Sequence, residues 1–179
     1  MRILIQSLTI FRMLAGPLIF ICMIFYSLFE FATIIFLLAS VSDYLDGYFA
    51  RKYHLESKLG AILDPIADKI LLTFMFFSLT LSLESIFIGF AGSLILAREF
   101  WVGALREINA SNHNIHATNV TMLAKIKTSA QFLTIMSYLV GIIFNSVLIL
   151  FLSNFLLTIS LALTFKTGLT YTINTFSKT

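Results

Sequence analysis

Asp43, Asp46, Asp64 and Asp68 are all the aspartates in the chain, and they fall within one short stretch. They stand in the string Asp43-Tyr-Leu-Asp46-Gly47-Tyr-Phe-Ala50-Arg51, continued by Gly60-Ala-Ile-Leu-Asp64-Pro65-Ile-Ala-Asp68. The flanking segments are apolar enough to lie in a membrane. A carboxylate at that depth costs about 2.5–3.5 kcal/mol even on lenient insertion scales, so four unpaired ones would cost roughly 10 kcal/mol or more. A cluster kept at that cost binds something positive. Arg51 and Lys69 are near in sequence, yet two cations do not neutralise four packed anions. Divalent metal is the simplest remedy. An oxygen-only donor set with no Cys or suitably placed His favours Mg²⁺ or Mn²⁺ over zinc. Four carboxylates suit two ions about 3.5–4 Å apart, an arrangement that clamps a phosphoryl group in transfer. The plainer alternative is a buried acid–base network. A small cation carrier is the rival functional class, but ion translocation makes no demand for Gly47, Ala50 and Arg51 at these offsets.

Such a site needs helices to hold it, and the composition supplies them. Hydrophobic residues make up 59% of the 179 and charged residues 12%, against about 25% charged in soluble domains, and the mean hydropathy is +0.95. The length fits one domain spanning residues 1–179, and a net charge of +3 argues against a nucleic-acid partner. The single Cys22 excludes a disulfide framework within the chain. Arg12 interrupts the first apolar stretch and no small-residue cleavage site follows, so a signal peptide is not expected.

Charge-free runs mark the crossings. Residues 13–29 with a few preceding ones form the first, 31 to about 50 the second, 60–83 the third and 85 to about 105 the fourth. Residues 128–165 carry no formal charge. As one helix that run would reach about 57 Å at 1.5 Å per residue, nearly twice the ~30 Å hydrocarbon core. It therefore divides into two helices, with the turn expected at Asn145-Ser146. The fold class is all-α: a bundle of six transmembrane helices. The positive-inside rule places Arg2, Arg51, Lys52, Lys58, Arg106, Lys125, Lys127, Lys166 and Lys178 in the cytoplasm with both chain ends, while the turns near Glu30, Glu84 and Asn145 hold no Lys or Arg. The aspartates then lie at the cytoplasmic ends of the second and third helices. At about 100° per residue, positions 43, 46, 47 and 50 share one stripe, and 60, 64 and 68 share another. The short basic link between these helices makes them antiparallel neighbours whose stripes can face. Gly47 and Ala50 leave room for a bulky ligand or simply allow close packing. Pro65 either disturbs the turn holding Asp64 or is a tolerated kink.

The pattern D-x2-D-G-x2-A-R-x8-G-x3-D-x3-D is met in full by Asp43, Asp46, Gly47, Ala50, Arg51, Gly60, Asp64 and Asp68. On these residues the chain resembles the CDP-alcohol phosphatidyltransferases, membrane enzymes that join a CDP-activated lipid to an alcohol and release CMP. The resemblance implies six transmembrane helices, a homodimer in the bacterial inner membrane and a two-metal site facing the cytoplasm. It implies that Asp43, Asp46 and Asp64 hold metal, that Asp68 contributes to the metal site and acts as general base, and that Gly47, Ala50, Arg51 and Gly60 border CDP-diacylglycerol. Further segments narrow the branch: Leu8-Thr9-Ile-Phe-Arg12, Ala97-Arg98-Glu99-Phe-Trp-Val-Gly-Ala-Leu105-Arg106-Glu107 and Lys125-Ile-Lys127-Thr128-Ser-Ala-Gln131. They are similar to the branch whose acceptor is sn-glycerol 3-phosphate. Ala124 departs from that pattern, where Gly is expected. A cardiolipin synthase of the same family, with phosphatidylglycerol as acceptor, is the alternative within it.

The basic residues agree with a phosphorylated acceptor. Arg98, Lys125 and Lys127 are cations near the cytoplasmic boundary, and a small dianion needs such partners. Snorkelling to headgroups is the plainer role for any of them and the preferred one for Arg106 and Lys178. Arg98 lies deeper, where snorkelling is harder, which favours function. Glu99 orients Arg98 or a partner helix. Thr9 and Arg12 either hold the first helix against the site or pair within the bundle. His113 and His116 read as solvated loop residues, with no acidic or Cys companion to make a metal site.

Overall fold

The computed structural model describes residues 2–52, 58–111 and 122–177; within these, the side chains of 2–6, 44, 46–51, 58, 59, 61, 124 and 125 lie outside the description. The described residues form six helices: α1 (Arg2–Ile24), α2 (Phe29–Lys52), α3 (Lys58–Ser82), α4 (Ile86–Ser111), α5 (Met122–Ile143) and α6 (Val147–Phe176). Segments of α1, α4, α5 and α6, at Ser7–Ile24, Ile86–Ser111, Ile126–Ile143 and Val147–Phe176, are long and apolar enough to cross a membrane. Large apolar side chains such as Leu14, Phe31, Phe90 and Phe155 are exposed along the helices, as lipid-facing positions must be. This is an integral membrane helical protein.

The uncharged 128–165 run does divide, and the break falls at Asn145-Ser146. Asn145 takes φ 47°, a left-handed conformation that Asn tolerates better than most residues. Its N–H donates to the Ile142 carbonyl at 3.1 Å, and the Ser146 N–H to that of Gly141 at 3.0 Å, closing the helix end. Ser146 then caps α6, its hydroxyl accepting from the Ile149 N–H. The turn after α3 repeats the scheme with Glu84 at φ 47° and the Ser85 N–H bonded to the Thr80 carbonyl. Both turns lie where no lysine or arginine occurs.

Several helices run further than the charge-free runs suggest, α1 and α6 the most. α1 begins at Arg2, and α6 continues past Phe165 to Phe176, about 45 Å in all at 1.5 Å per residue. The charge-free run stops at Lys166 and so misses the extension of α6, a segment rich in threonine. Thr170, Thr172 and Thr175 each turn the hydroxyl back onto the carbonyl four residues earlier, which satisfies the polar group without breaking the helix.

The chain divides into two compact units, residues 1–85 and 86–179. In the first, α1 packs against both α2 and α3. Gly16 brings α1 close to α3: a Cβ there would stand 3.1 Å from Phe74 Cδ2, 3.3 Å from the Ile70 carbonyl oxygen and 3.4 Å from Leu71 Cα. Phe20 adds a stacked ring contact to Phe77 at 5.4 Å. In the second unit α6 packs against both α4 and α5, with Ser137 bonded to Ser153 and Tyr138 donating to Asn154 across α5 and α6. Replacing Gly16 with Val should cost about 1–3 kcal/mol through overpacking, seen as a lower unfolding temperature in detergent, while Leu14→Ile on the exposed face should leave it unchanged.

Candidate active site

The carboxylates of the first unit converge on an arginine. Arg12, in the middle of α1, is fully buried. Its Nη1 donates to Asp43 on α2 and, at 2.8 Å, to Asp68 on α3. Its Nη2 donates to Asp64 at 3.0 Å, and Thr9 one turn earlier adds a hydroxyl bond of 2.8 Å to the same Asp64 oxygen. Of the two roles open to Thr9 and Arg12, the structure gives them the first: α1 is clasped to the aspartates of both other helices. The two carboxylate stripes are thus joined through α1, a partner that the antiparallel reading of α2 and α3 leaves out. Helical phase explains the rest. Asp64 and Asp68 are one turn apart on α3, and both reach the same guanidinium.

The balance of charge and solvent at this cluster is uneven. Among the described contacts, one guanidinium faces three carboxylates, an excess of negative charge at the contact itself. The arginine has no exposed surface, whereas the side chains of Asp43, Asp64 and Asp68 are 51%, 39% and 48% exposed. The cluster is sealed on the α1 side and open on the other. Among the described residues, no three such groups stand close enough to hold an ion as they are placed, since the guanidinium lies among them. The donor chemistry nevertheless fits a hard divalent cation, because every group offered is a carboxylate oxygen with excess charge and solvent access. Asp46, Gly47, Ala50 and Arg51 belong to the same stretch of α2, but their side chains lie outside the description. Gly60 stands in the first turn of α3.

The second unit gathers cations. Arg98 on α4 and Lys127 on α5 are both buried, and both donate to one carboxylate oxygen of Glu99, Arg98 through Nη1 at 3.0 Å. Glu99 therefore orients Arg98 and ties two helices together at once. Nη2 of Arg98 donates to Thr167 Oγ1 on α6 at 2.7 Å, and its guanidinium carbon lies 5.9 Å from the centre of the Tyr171 ring. Two cations against one carboxylate leave a net positive cluster, suited to an oxyanion. The guanidinium carbon of Arg106, an exposed residue, lies 5.7 Å from the centre of the same ring. Lys125 lies outside the described side chains, and His113 and His116 lie outside the described residues. Sequence reasoning missed Thr167, Gly168 and Tyr171 as neighbours of Arg98. No motif marks them; the i, i+1, i+4 spacing on one face of α6 is the only signal.

A cluster of aspartates within the helices of one unit and a basic cluster within those of the other are groups that suit a phosphoryl-group transferase. A model of the family described as CDP-alcohol phosphatidyltransferase matches residues 3–166. The chain belongs to that family, whose members are generally divalent-metal dependent. Relatives bear the name CDP-diacylglycerol--glycerol-3-phosphate 3-phosphatidyltransferase. The one from Wigglesworthia glossinidia brevipalpis is 35% identical over 136 residues, 74% of each chain. Those from Sodalis glossinidius and Escherichia coli K12 are 34% identical over 136 residues and 35% over 127, covering 74% and 69% of each chain.

Removal of Arg12 tests the clasp. In metal-free protein, Arg12→Ala should lower stability by about 1.5–3 kcal/mol, the range for hydrogen bonds to charged groups. This is less than for a fully buried pair, because the carboxylates are half solvated. Thermal unfolding in detergent with EDTA measures it, and an unchanged midpoint would show that the clasp carries no stability.

Proposed function

We propose that the chain transfers the phosphatidyl group of CDP-diacylglycerol to sn-glycerol 3-phosphate, giving phosphatidylglycerophosphate and CMP. The observation that carries this reading is the convergence of Asp43, Asp64 and Asp68, three positions of the family motif, on one buried guanidinium. Family membership removes the cation carrier as an alternative. The net positive Arg98–Glu99–Lys127 cluster supports a phosphate-bearing acceptor over a neutral alcohol. It also favours sn-glycerol 3-phosphate over the phosphatidylglycerol of a cardiolipin synthase, in agreement with the names of the relatives.

Each residue has a role in this proposal. Asp43, Asp46, Asp64 and Asp68 hold two divalent ions, Mg²⁺ or Mn²⁺, which offset the diphosphate charge and that of the departing CMP. Gly47, Ala50, Arg51 and Gly60 bind the nucleotide end of CDP-diacylglycerol. Arg98, Lys125 and Lys127 bind the acceptor phosphate. A primary hydroxyl of sn-glycerol 3-phosphate gives its proton to Asp68 and attacks the lipid-side phosphorus. The new P–O bond replaces the bond to CMP, which leaves with its electron pair. Positioning and charge stabilisation supply most of the acceleration. Residues 1–179 act as one domain of a homodimer in the bacterial inner membrane, with the site on the cytoplasmic side.

CMP release by the purified protein tests the reaction. It should be rapid with CDP-diacylglycerol and sn-glycerol 3-phosphate, slight with inositol, serine or phosphatidylglycerol, and silenced by EDTA. Asp43→Asn, Asp46→Asn and Asp64→Asn should each lower it by orders of magnitude in folded protein; full activity in any one removes that residue as a ligand. Arg98→Ala and Lys125→Ala should each raise the KM for sn-glycerol 3-phosphate at least about tenfold, or 1.4 kcal/mol. Preferential turnover of phosphatidylglycerol would replace this reading with the cardiolipin synthase.

Orientation has its own test. In a Cys22→Ala background, cysteines placed at Glu30, Glu84 or Asn145 should be labelled by an impermeant reagent on intact cells. Cysteines at Lys52 or Asn114 should not be, and their labelling from outside would overturn the cytoplasmic site.

A further inference from the structure

We propose that Thr167, Gly168 and Tyr171 on α6 are positioning residues that fix the Arg98 guanidinium and thereby set the affinity for the acceptor phosphate. This rests on the reading of Arg98 as a phosphate-binding residue. Residues beyond 166 lie outside the family match, so the family pattern assigns them nothing.

Each of the three constrains Arg98 differently. Thr167 has one hydroxyl proton, directed at its own helix: the Leu163 carbonyl stands at 2.8 Å and that of Thr164 at 3.0 Å. A lone pair is left facing Nη2 of Arg98 at 2.7 Å, so the hydroxyl is a pre-oriented acceptor rather than a free rotor. Gly168 makes room for the arginine stem. A Cβ there would stand 3.0 Å from Cγ and 3.1 Å from Nε of Arg98, so any side chain would push the stem by a few tenths of an ångström. Tyr171, itself buried, presents its ring to the guanidinium at 5.9 Å. With Glu99 on Nη1, both terminal nitrogens are engaged. Each terminal nitrogen keeps a second N–H, and Nε is buried without a partner, so the guanidinium retains donors for an anion. A guanidinium held on two sides loses little freedom when it binds a phosphate, and that lowers the cost of association.

The same two helices contain a natural control. Asn109 on α4 donates to Thr175 Oγ1 on α6 at 2.8 Å, two turns from Thr167 and without contact to Arg98. That bond holds α6 to α4 but has no bearing on the guanidinium.

The experiment is steady-state kinetics of the full-length protein in detergent with CDP-diacylglycerol and sn-glycerol 3-phosphate. Thr167→Val should raise the acceptor KM about five- to tenfold, less than the full effect of losing one hydrogen bond to a charged group because Glu99 still holds the guanidinium, with kcat within about twofold. Thr167→Ser should restore the wild-type KM. Gly168→Val should raise it further, and Gly168→Ala by less should the bulkier variant not fold. Thr175→Val should leave both constants unchanged, as should the KM for CDP-diacylglycerol in every variant. Unchanged acceptor KM in the Thr167 and Gly168 variants, alongside a raised KM in Arg98→Ala, would overturn the positioning role alone. An equal fall in kcat across the Thr167, Gly168 and Thr175 variants would mean that α6 only supports the fold, and would overturn it too. Wild-type KM in Arg98→Ala would instead remove the phosphate-binding reading on which the proposal stands.

Discussion

Charge in an apolar bundle must be compensated on the spot, and the contact of Arg12 with Asp43, Asp64 and Asp68 does this for the first unit. Removing a carboxylate or a guanidinium from water without a partner costs several kcal/mol. Three helices meet at this one side chain, so compensation and helix packing are the same event. The guanidinium is the right group for it, since a planar fork with several donors reaches more than one carboxylate where an ammonium offers a point charge. Among the described contacts three acids share one base, so the guanidinium alone does not complete the compensation. The carboxylates stay open to solvent on the side away from α1, which suits the cluster to a cation better than a sealed ion pair would.

The second unit solves the opposite problem with the opposite sign. Glu99 supplies one carboxylate to Arg98 and Lys127, leaving positive charge in excess and a place for an oxyanion. In both units the chain carries its own counter-charge inside the cluster. A ligand therefore enters an environment already ordered by a weaker internal partner, and the side chains need not be gathered from disorder at the moment of binding.

The first and last helices have matching duties. α1 packs on α2 and α3 and carries Arg12; α6 packs on α4 and α5 and carries Thr167, Gly168 and Tyr171. Small residues allow the close approach at each: Gly16 against α3, and Gly168 against the Arg98 stem. In a membrane, where lipid is as apolar as the side chains, such contacts and interhelical hydrogen bonds carry association. The serine and tyrosine bonds between α5 and α6 belong to the same economy of buried polar pairs.

Six helices, the break at Asn145-Ser146 and the aspartate motif were all legible in the sequence, because each depends on local order along the chain. Hydropathy over about 20 residues reports a crossing, charge marks its ends, and the 3.6-residue period places Asp64 and Asp68 on one face. The reach of α6 was not legible, because Lys166 ends the charge-free run and the threonines beyond it read as polar although they bond to their own helix. Nor did the sequence decide between the two roles open to Arg12, or whether Glu99 faced Arg98 or a neighbouring helix. It did both, through Lys127. Thr167, Gly168 and Tyr171 carried no motif, only a shared face of α6. Arg12 and Asp68 are separated by 56 positions, and Arg98 and Thr167 by 69. No period along one helix relates residues so far apart. The sequence determines which face of each helix is polar; only packing decides which faces meet, because that choice is made by side-chain shape and by the cost of leaving any buried charge without a partner.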